Sequence, residues 1–263
     1  GPVDDAGQPG TIRVAAARAP SSYLFFMDQI HLTLSGRQNG ISLARQLVRD
    51  LIHDGNRGML VSNANELLVA QADRHGVETL ELRYSPVIHT FAGLTLRQAI
   101  RAVLSGMNRA SGRRRIRCGL IVIAMRQHGP HIAKILARQA ISEAQHLHDR
   151  CVVVGFDIAG PERTTPPRLF REAYEVASRG GLGLTAHSGE EVGPEMVWQT
   201  IDDLGVSRIG HACSAVKDRA LLRRLARDRI LVECCLTSNY QTGAVRPGDR
   251  HPIQGCLRLL TIA

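Results

Sequence analysis

The sequence predicts an α/β chain folded as a (β/α)8 TIM-type barrel that is incomplete at its last strand. Three observations predict it. From about residue 60, short apolar segments alternate with segments of helical period, and such alternation implies parallel strands joined by right-handed crossovers. Several of the apolar segments end in His, Asp or Glu, and the C-terminal strand ends are where a parallel barrel carries its chemistry. The length of 263 residues is close to the roughly 250 that such a barrel needs. A doubly wound open sheet is the runner-up, but the chain has no Gly-rich phosphate loop of the form GxGxxG or GxxxxGK[ST].

The elements follow in order. Residues 1–22 are rich in Gly, Pro and Ala and form an expected loose segment ahead of one barrel domain over 23–263. The opening stretch has two acidic residues and no apolar centre, unlike a secretory leader. Residues 63–76 have helical period and stop at Gly76, a common helix end. Strands are expected at 78–84, 116–125, 151–157, 181–187, 206–211 and 230–235, and helices at 94–110, 131–147, 167–180, 195–205 and 217–228. The strand at 230–235 leads into a polar, loop-like stretch to residue 245. His251 precedes Pro252 and starts a last helix, where proline is at home as the first helical residue. The run LLTIA at 259–263 makes a final strand.

Composition narrows the function classes. Net charge is +9, with the basic residues scattered through helical segments such as 218–229. Aromatics are only 4%, too few for a base-stacking platform, so the charge reads as a solvated surface and nucleic acid is not an expected partner. No apolar run approaches the roughly 20 residues of a membrane span. The six cysteines (118, 151, 213, 234, 235 and 256) show no CxxC spacing. They read as reduced thiols in a cytoplasmic setting. Oligomeric state is not legible.

The most informative stretch is Thr185-Ala-His-Ser-Gly-Glu-Glu191. A neutral imidazole at His187 can hold a metal, and a carboxylate at Glu190 can move protons. The plain alternative is a capped turn with one satisfied His and one solvated Glu. Repetition favours the site: His211 closes a second strand, and Asp157, Gly160 and Glu162 close another. Asp157 and Glu162 themselves read as caps near the substrate, and Trp198 as helix packing. His128, His131, His146 and His148 read as surface residues; His53, His75 and His89 have no partner in any pattern.

Several motifs resemble the adenosine deaminase family. His187-Ser-Gly-Glu190 is similar to its His-Ala-Gly-Glu, and Asp157-Ile-Ala-Gly-Pro-Glu162 to its Asp-Leu-Ala-Gly-Asp-Glu. RYSP at 83–86, RIGH at 208–211, ECCLTSN with TGAV over 233–245, and His251-Pro252 match in order. The resemblance covers roughly residues 65–263. It implies a metal-dependent hydrolase barrel with one Zn2+ per chain, held in the family by three His and one Asp. It also implies hydrolytic deamination of adenosine, and of 2'-deoxyadenosine, in purine salvage. His187 would bind zinc and Glu190 would protonate purine N1. His211 would orient or deprotonate the attacking water, and Gly160 would bring backbone close to the purine. The family's His-x-His-Leu-Asp-Gly aligns with residues 31–36. His31 matches the first ligand, Thr33 stands in the second His position, and Ser35 stands where an Asp meets the ribose. Leu260–Ala263 reach the point where the family's Thr-Asp-Asp-Pro begins, so two ligands, His31 and His187, are expected. An impaired deaminase-like remnant, binding purine nucleosides without turnover, is the alternative.

Overall fold

The computed structural model describes residues 22–25 and 68–255, apart from 71, 74–75, 92, 113, 146–149 and 247. The loose segment up to residue 21, His31, Thr33, Ser35, His53, His75, His146, His148, Cys256 and the expected strand at 259–263 lie outside the described residues. Ser22 opens the first described strand.

Among the described residues, seven parallel strands form one sheet: β1 Ser22–Phe25, β2 Thr79–Tyr84, β3 Arg117–Met125, β4 Val152–Ala159, β5 Gly183–Ser188, β6 Arg208–His211 and β7 Leu231–Glu233. Each pairs with its successor in sequence. A doubly wound sheet reverses its strand order at a switch point. No reversal occurs here, so the runner-up is wrong. The unbroken order is that of a barrel wall, and the described residues form an incomplete (β/α)8 barrel.

Between the strands run α1 Val87–Thr90, α2 Leu96–Ser111, α3 Gly129–Ala144, α4 Arg171–Arg179, α5 Pro194–Leu204, α6 Arg219–Arg227 and, after β7, α7 Leu236–Gln241. Local chemistry sets several of their ends. Thr95 accepts from the Gln98 backbone N–H, and the Gln98 side chain accepts from the Thr95 N–H, closing a capping box on α2. Asp218 accepts from the Ala220 and Leu221 N–H groups at the start of α6. The helix expected from 131 begins at Gly129, because Pro130 fits the first turn. The stretch after β7 is not loop throughout. It opens with α7, although its Thr, Ser and Asn are weak helix formers; tertiary contacts of Asn239, described below, outweigh propensity.

The core lies between helices and sheet. From Cys118 to Met125 every residue of β3 is buried, as expected of a parallel strand covered on both faces. On α2 the buried Ala99, Ile100, Val103, Leu104 and Met107 recur at three- and four-residue spacing.

One irregularity prepares the site. The β4–β5 ladder has only two pairs, Gly155 with Gly183 and Phe156 with Leu184. Beyond them, side chains take over the β5 carbonyls that face β4. Tyr174 donates its hydroxyl to the Thr185 carbonyl at 2.6 Å. The buried Arg126 guanidinium donates to the His187 carbonyl at 2.9 Å and to the Thr165 carbonyl at 2.8 Å. The two strands therefore part at their C-terminal ends without leaving these acceptors unsatisfied.

Candidate active site

Four strand ends bring their polar side chains together at that opening. His187 is 4% exposed. Its Nδ1 lies 3.1 Å from Asp157 Oδ1 and 3.0 Å from Oδ2. Asp157 also accepts from Arg83 Nη1 at 2.9 Å. Burial pushes the Asp157 carboxyl up, but the charges of His187 and Arg83 outweigh it and hold the group below the usual carboxylate range. Asp157 is therefore the carboxylate behind His187 rather than a cap, a correction to the sequence reading.

Arg83 is the hub of a larger buried network. Its Nη2 donates to Thr185 Oγ1 at 3.2 Å and to Glu233. Glu233 also accepts from Arg208 Nε at 2.7 Å, and Arg208 reaches Glu81 at 2.6 Å. Strands β2, β4, β5, β6 and β7 are thus tied through alternating charges inside the barrel wall.

The His187–Glu190 turn is shaped by Glu162 and Gly189. Glu162 accepts from the Gly189 N–H at 2.9 Å and the Glu190 N–H at 3.0 Å, so its reading as a cap holds. Gly189 has φ +72°, and a Cβ there would lie 2.5 Å from Val197 Cγ2 and 2.6 Å from Ser214 Oγ. Glycine fits that left-handed, crowded position. Gly160 has φ +99°, and its backbone packs so closely that a Cβ would meet Gln127 Oε1 at 2.5 Å.

His211 sits where β6 turns back. Its φ is +67° and that of Ala212 is +48°, uncommon for residues with a Cβ and of order 1–3 kcal/mol each. Backbone bonds from Ala212 N–H to the Ser188 carbonyl and from Ser214 N–H to the Gly189 carbonyl hold the turn. It sets the His211 ring beside His187, with centroids 5.2 Å apart. His211 Nε2 faces Glu190 Oε2 at 3.4 Å, and Thr242 donates to Glu190 Oε1 at 2.8 Å. Glu190 also lines a cavity of about 1000 Å³ shared with Arg163, Lys217 and Arg246.

Donor chemistry suits a metal at one point. A carboxylate on one imidazole nitrogen orients the ring and raises its basicity as a ligand through the other nitrogen, and Asp157 stands so behind His187. Among the described residues no group of three or more His, Cys, Asp and Glu is placed to hold a metal. They therefore fit one zinc ligand with its supporting carboxylate, not a full coordination shell.

The comparisons decide the family. The adenosine deaminase family model matches residues 63–259. The adenosine deaminase of Escherichia coli (strain SE11) is 37% identical over 187 residues, 71% of this chain and 54% of that protein. The chain belongs to the adenosine deaminase family. This member spans about half the length of the curated E. coli relatives it matches. Among solved structures, the N6-methyl-AMP deaminase of Arabidopsis thaliana superposes with a TM-score of 0.70 at 25% identity, covering 86% of this chain and 65% of that one. A zinc-bound amidohydrolase from Burkholderia ambifaria gives a TM-score of 0.71 at 24% identity, over 83% and 60%, a likeness of fold.

Of the residues singled out in this deaminase-family chain, His187, Glu190 and His211 lie together and Gly160 adjoins the same strand ends. His31 and Ser35 lie outside the described residues. His131 is exposed as expected, and His128 is half-buried against Phe91. Trp198 packs between helices as expected, donating to Asp218 at 2.8 Å beneath Arg224. Arg83, Arg126, Asn239 and Thr242 were missed by sequence reasoning. For Arg83, a lone cation in the apolar strand ETLELRY was the available signal.

No described helix is long and apolar enough to cross a membrane.

Proposed function

We propose that this chain performs zinc-dependent hydrolytic deamination of adenosine, and of 2'-deoxyadenosine, to inosine or deoxyinosine plus ammonia. The observation that carries the reading is the grouping of Glu190, His211 and carboxylate-backed His187 at parted strand ends beside a cavity of about 1000 Å³. A volume of that order suits a nucleoside.

Each side chain has a task. Glu190, held by Thr242 at one oxygen, delivers a proton to purine N1, drawing electrons from C6. His211, beside Glu190, orients the water that attacks C6. Gly160 lets the backbone approach the purine, and Ser35, by its place in the motif, would serve the ribose. His187 and His31 would hold the zinc, with Asp157 fixing the His187 ring. When bound, zinc supplies Lewis-acid activation of that water, whose pKa falls to about 7. One barrel domain from residue 23 onward would carry the reaction, in purine salvage. Cys118 and Cys235 carry no disulfide, in keeping with a reducing cytoplasm.

Thr33, in the second ligand position, favours a second reading, a remnant that binds nucleoside without turnover. Incubating the purified chain with equimolar zinc and adenosine, beside Glu190→Gln, tests both. Inosine from the parent, with a loss of about 10²–10⁴-fold in the variant, is expected. Full turnover by Glu190→Gln would refute the role of Glu190. Adenosine binding by calorimetry with no inosine would establish the second reading.

A further inference from the structure

The geometry points to Asn239 and His251 as positioning residues that fix the proton of His211 on Nε2, facing Glu190.

The reasoning starts from a donor that has no choice. The Ile253 backbone N–H can only donate, and it lies 3.1 Å from His251 Nδ1. Pro252 has no N–H, so Ile253 offers the first free donor of the helical turn at 253–255. His251 Nδ1 is therefore an acceptor, and in the neutral ring the proton sits on Nε2. His251 is 7% exposed, and burial lowers its pKa, which keeps the ring neutral. His251 Nε2 lies 3.1 Å from Asn239 Oδ1. With that oxygen accepting, the Asn239 amide turns its NH2 to the other side, 2.7 Å from His211 Nδ1. Asn239 is fully buried. His211 Nδ1 is thus an acceptor as well, and its proton sits on Nε2, 3.4 Å from Glu190.

The direction of every bond in this series is set by the backbone at Ile253. The opposite tautomer would turn an amide N–H toward the proton of His211 Nδ1, or an amide oxygen away from the proton of His251. Such mismatches leave buried polar groups unsatisfied, at about 1–3 kcal/mol each.

The consequence deepens the deaminase reading and rests on it. A His211 whose Nε2 already carries a proton, and whose Nδ1 lone pair is taken, donates a hydrogen bond. It orients water and Glu190 rather than removing a proton. His251-Pro252, at the start of the helical turn at 253–255, acts at a distance through the buried Asn239.

The tautomer can be read without turnover. Long-range 15N–1H correlation spectra of the 15N-labelled chain distinguish protonated from unprotonated ring nitrogens. They are recorded at mildly alkaline pH, where an ordinary imidazole is neutral. Signals of His211 are assigned by their loss in His211→Gln. The expected result is a protonated Nε2 and an unprotonated Nδ1 in the parent. Asn239→Asp keeps the shape but only accepts, and it is expected to move the proton to Nδ1, shifting both nitrogens by the full separation between the two types. A parent spectrum with the proton on Nδ1, or averaged between nitrogens, overturns the proposal even if the variant fails to fold. An unchanged pattern in a folded Asn239→Asp overturns it too. A fixed Nε2 proton in a chain that makes no inosine would refute the deaminase reading and leave the relay standing.

Discussion

Arg83→Met is the sharpest test of how this site is held. Arg83 is 2% exposed and joins Asp157, which is fully buried, to Glu233, which is 8% exposed. Methionine keeps most of the length and removes the charge. Glu233 retains Arg208 at 2.7 Å, but Asp157 keeps only His187 at 3.0 Å. Removing one partner of a buried pair costs about 3–5 kcal/mol, because the remaining charge is left uncompensated. Most of that loss should belong to Asp157, so Asp157→Asn in the same chain should restore part of it. Arg83→Met together with Asp157→Asn should then be more stable than Arg83→Met alone, a coupling of about 1–3 kcal/mol. The assay is urea unfolding followed by far-ultraviolet circular dichroism for the parent, both single variants and the double variant. A loss below about 1 kcal/mol for Arg83→Met, or no recovery in the double variant, would refute the argument that this arginine neutralises the carboxylate behind His187.

Two further outcomes follow from the same geometry. Gly189→Ala combines a left-handed φ, about 1–2 kcal/mol, with overpacking against Val197 and Ser214, about 1–3 kcal/mol. Gly93→Ala, with φ +88° and nothing within 4 Å of the new Cβ, should show the first cost alone; equal losses in the urea midpoint would sink the packing argument. Burial lowers the pKa of both His89 and His251, so below the unfolded value of about 6.5 the unfolded chain binds more protons than the folded one. Stability contributed by these rings is present above that value and is lost as pH falls through it toward their folded values. Melting temperatures between about pH 7 and pH 5.5 should drop less steeply in His251→Gln than in the parent; identical slopes would exclude His251 as a contributor.

The strand and helix pattern was legible because it is local. ETLELRY, CVVVGFD and GLGLTAH each announce a buried strand within a few residues, and Gly76 announces a helix end. His187, Glu190 and His211 could be proposed because each closes such a strand. The helix α7 was hidden, since its Thr, Ser and Asn favour turns until Asn239 is anchored from outside the segment.

By itself, then, the sequence determined the order of the six strands between 78 and 235, together with the family, and proposed the three side chains that meet at the strand ends, since periodicity and motif wording are properties of neighbouring residues. Tertiary structure alone decided what those side chains can do. Arg83 meets Asp157 across 74 residues and Glu233 across 150. Arg126 fills the gap between β4 and β5 from 61 residues away, and His211 is oriented by Asn239 from 28 residues away. Hydrogen-bond direction and the balance of buried charge depend on which groups meet in space, and parallel strands bring together residues whose separation in the chain leaves no local trace.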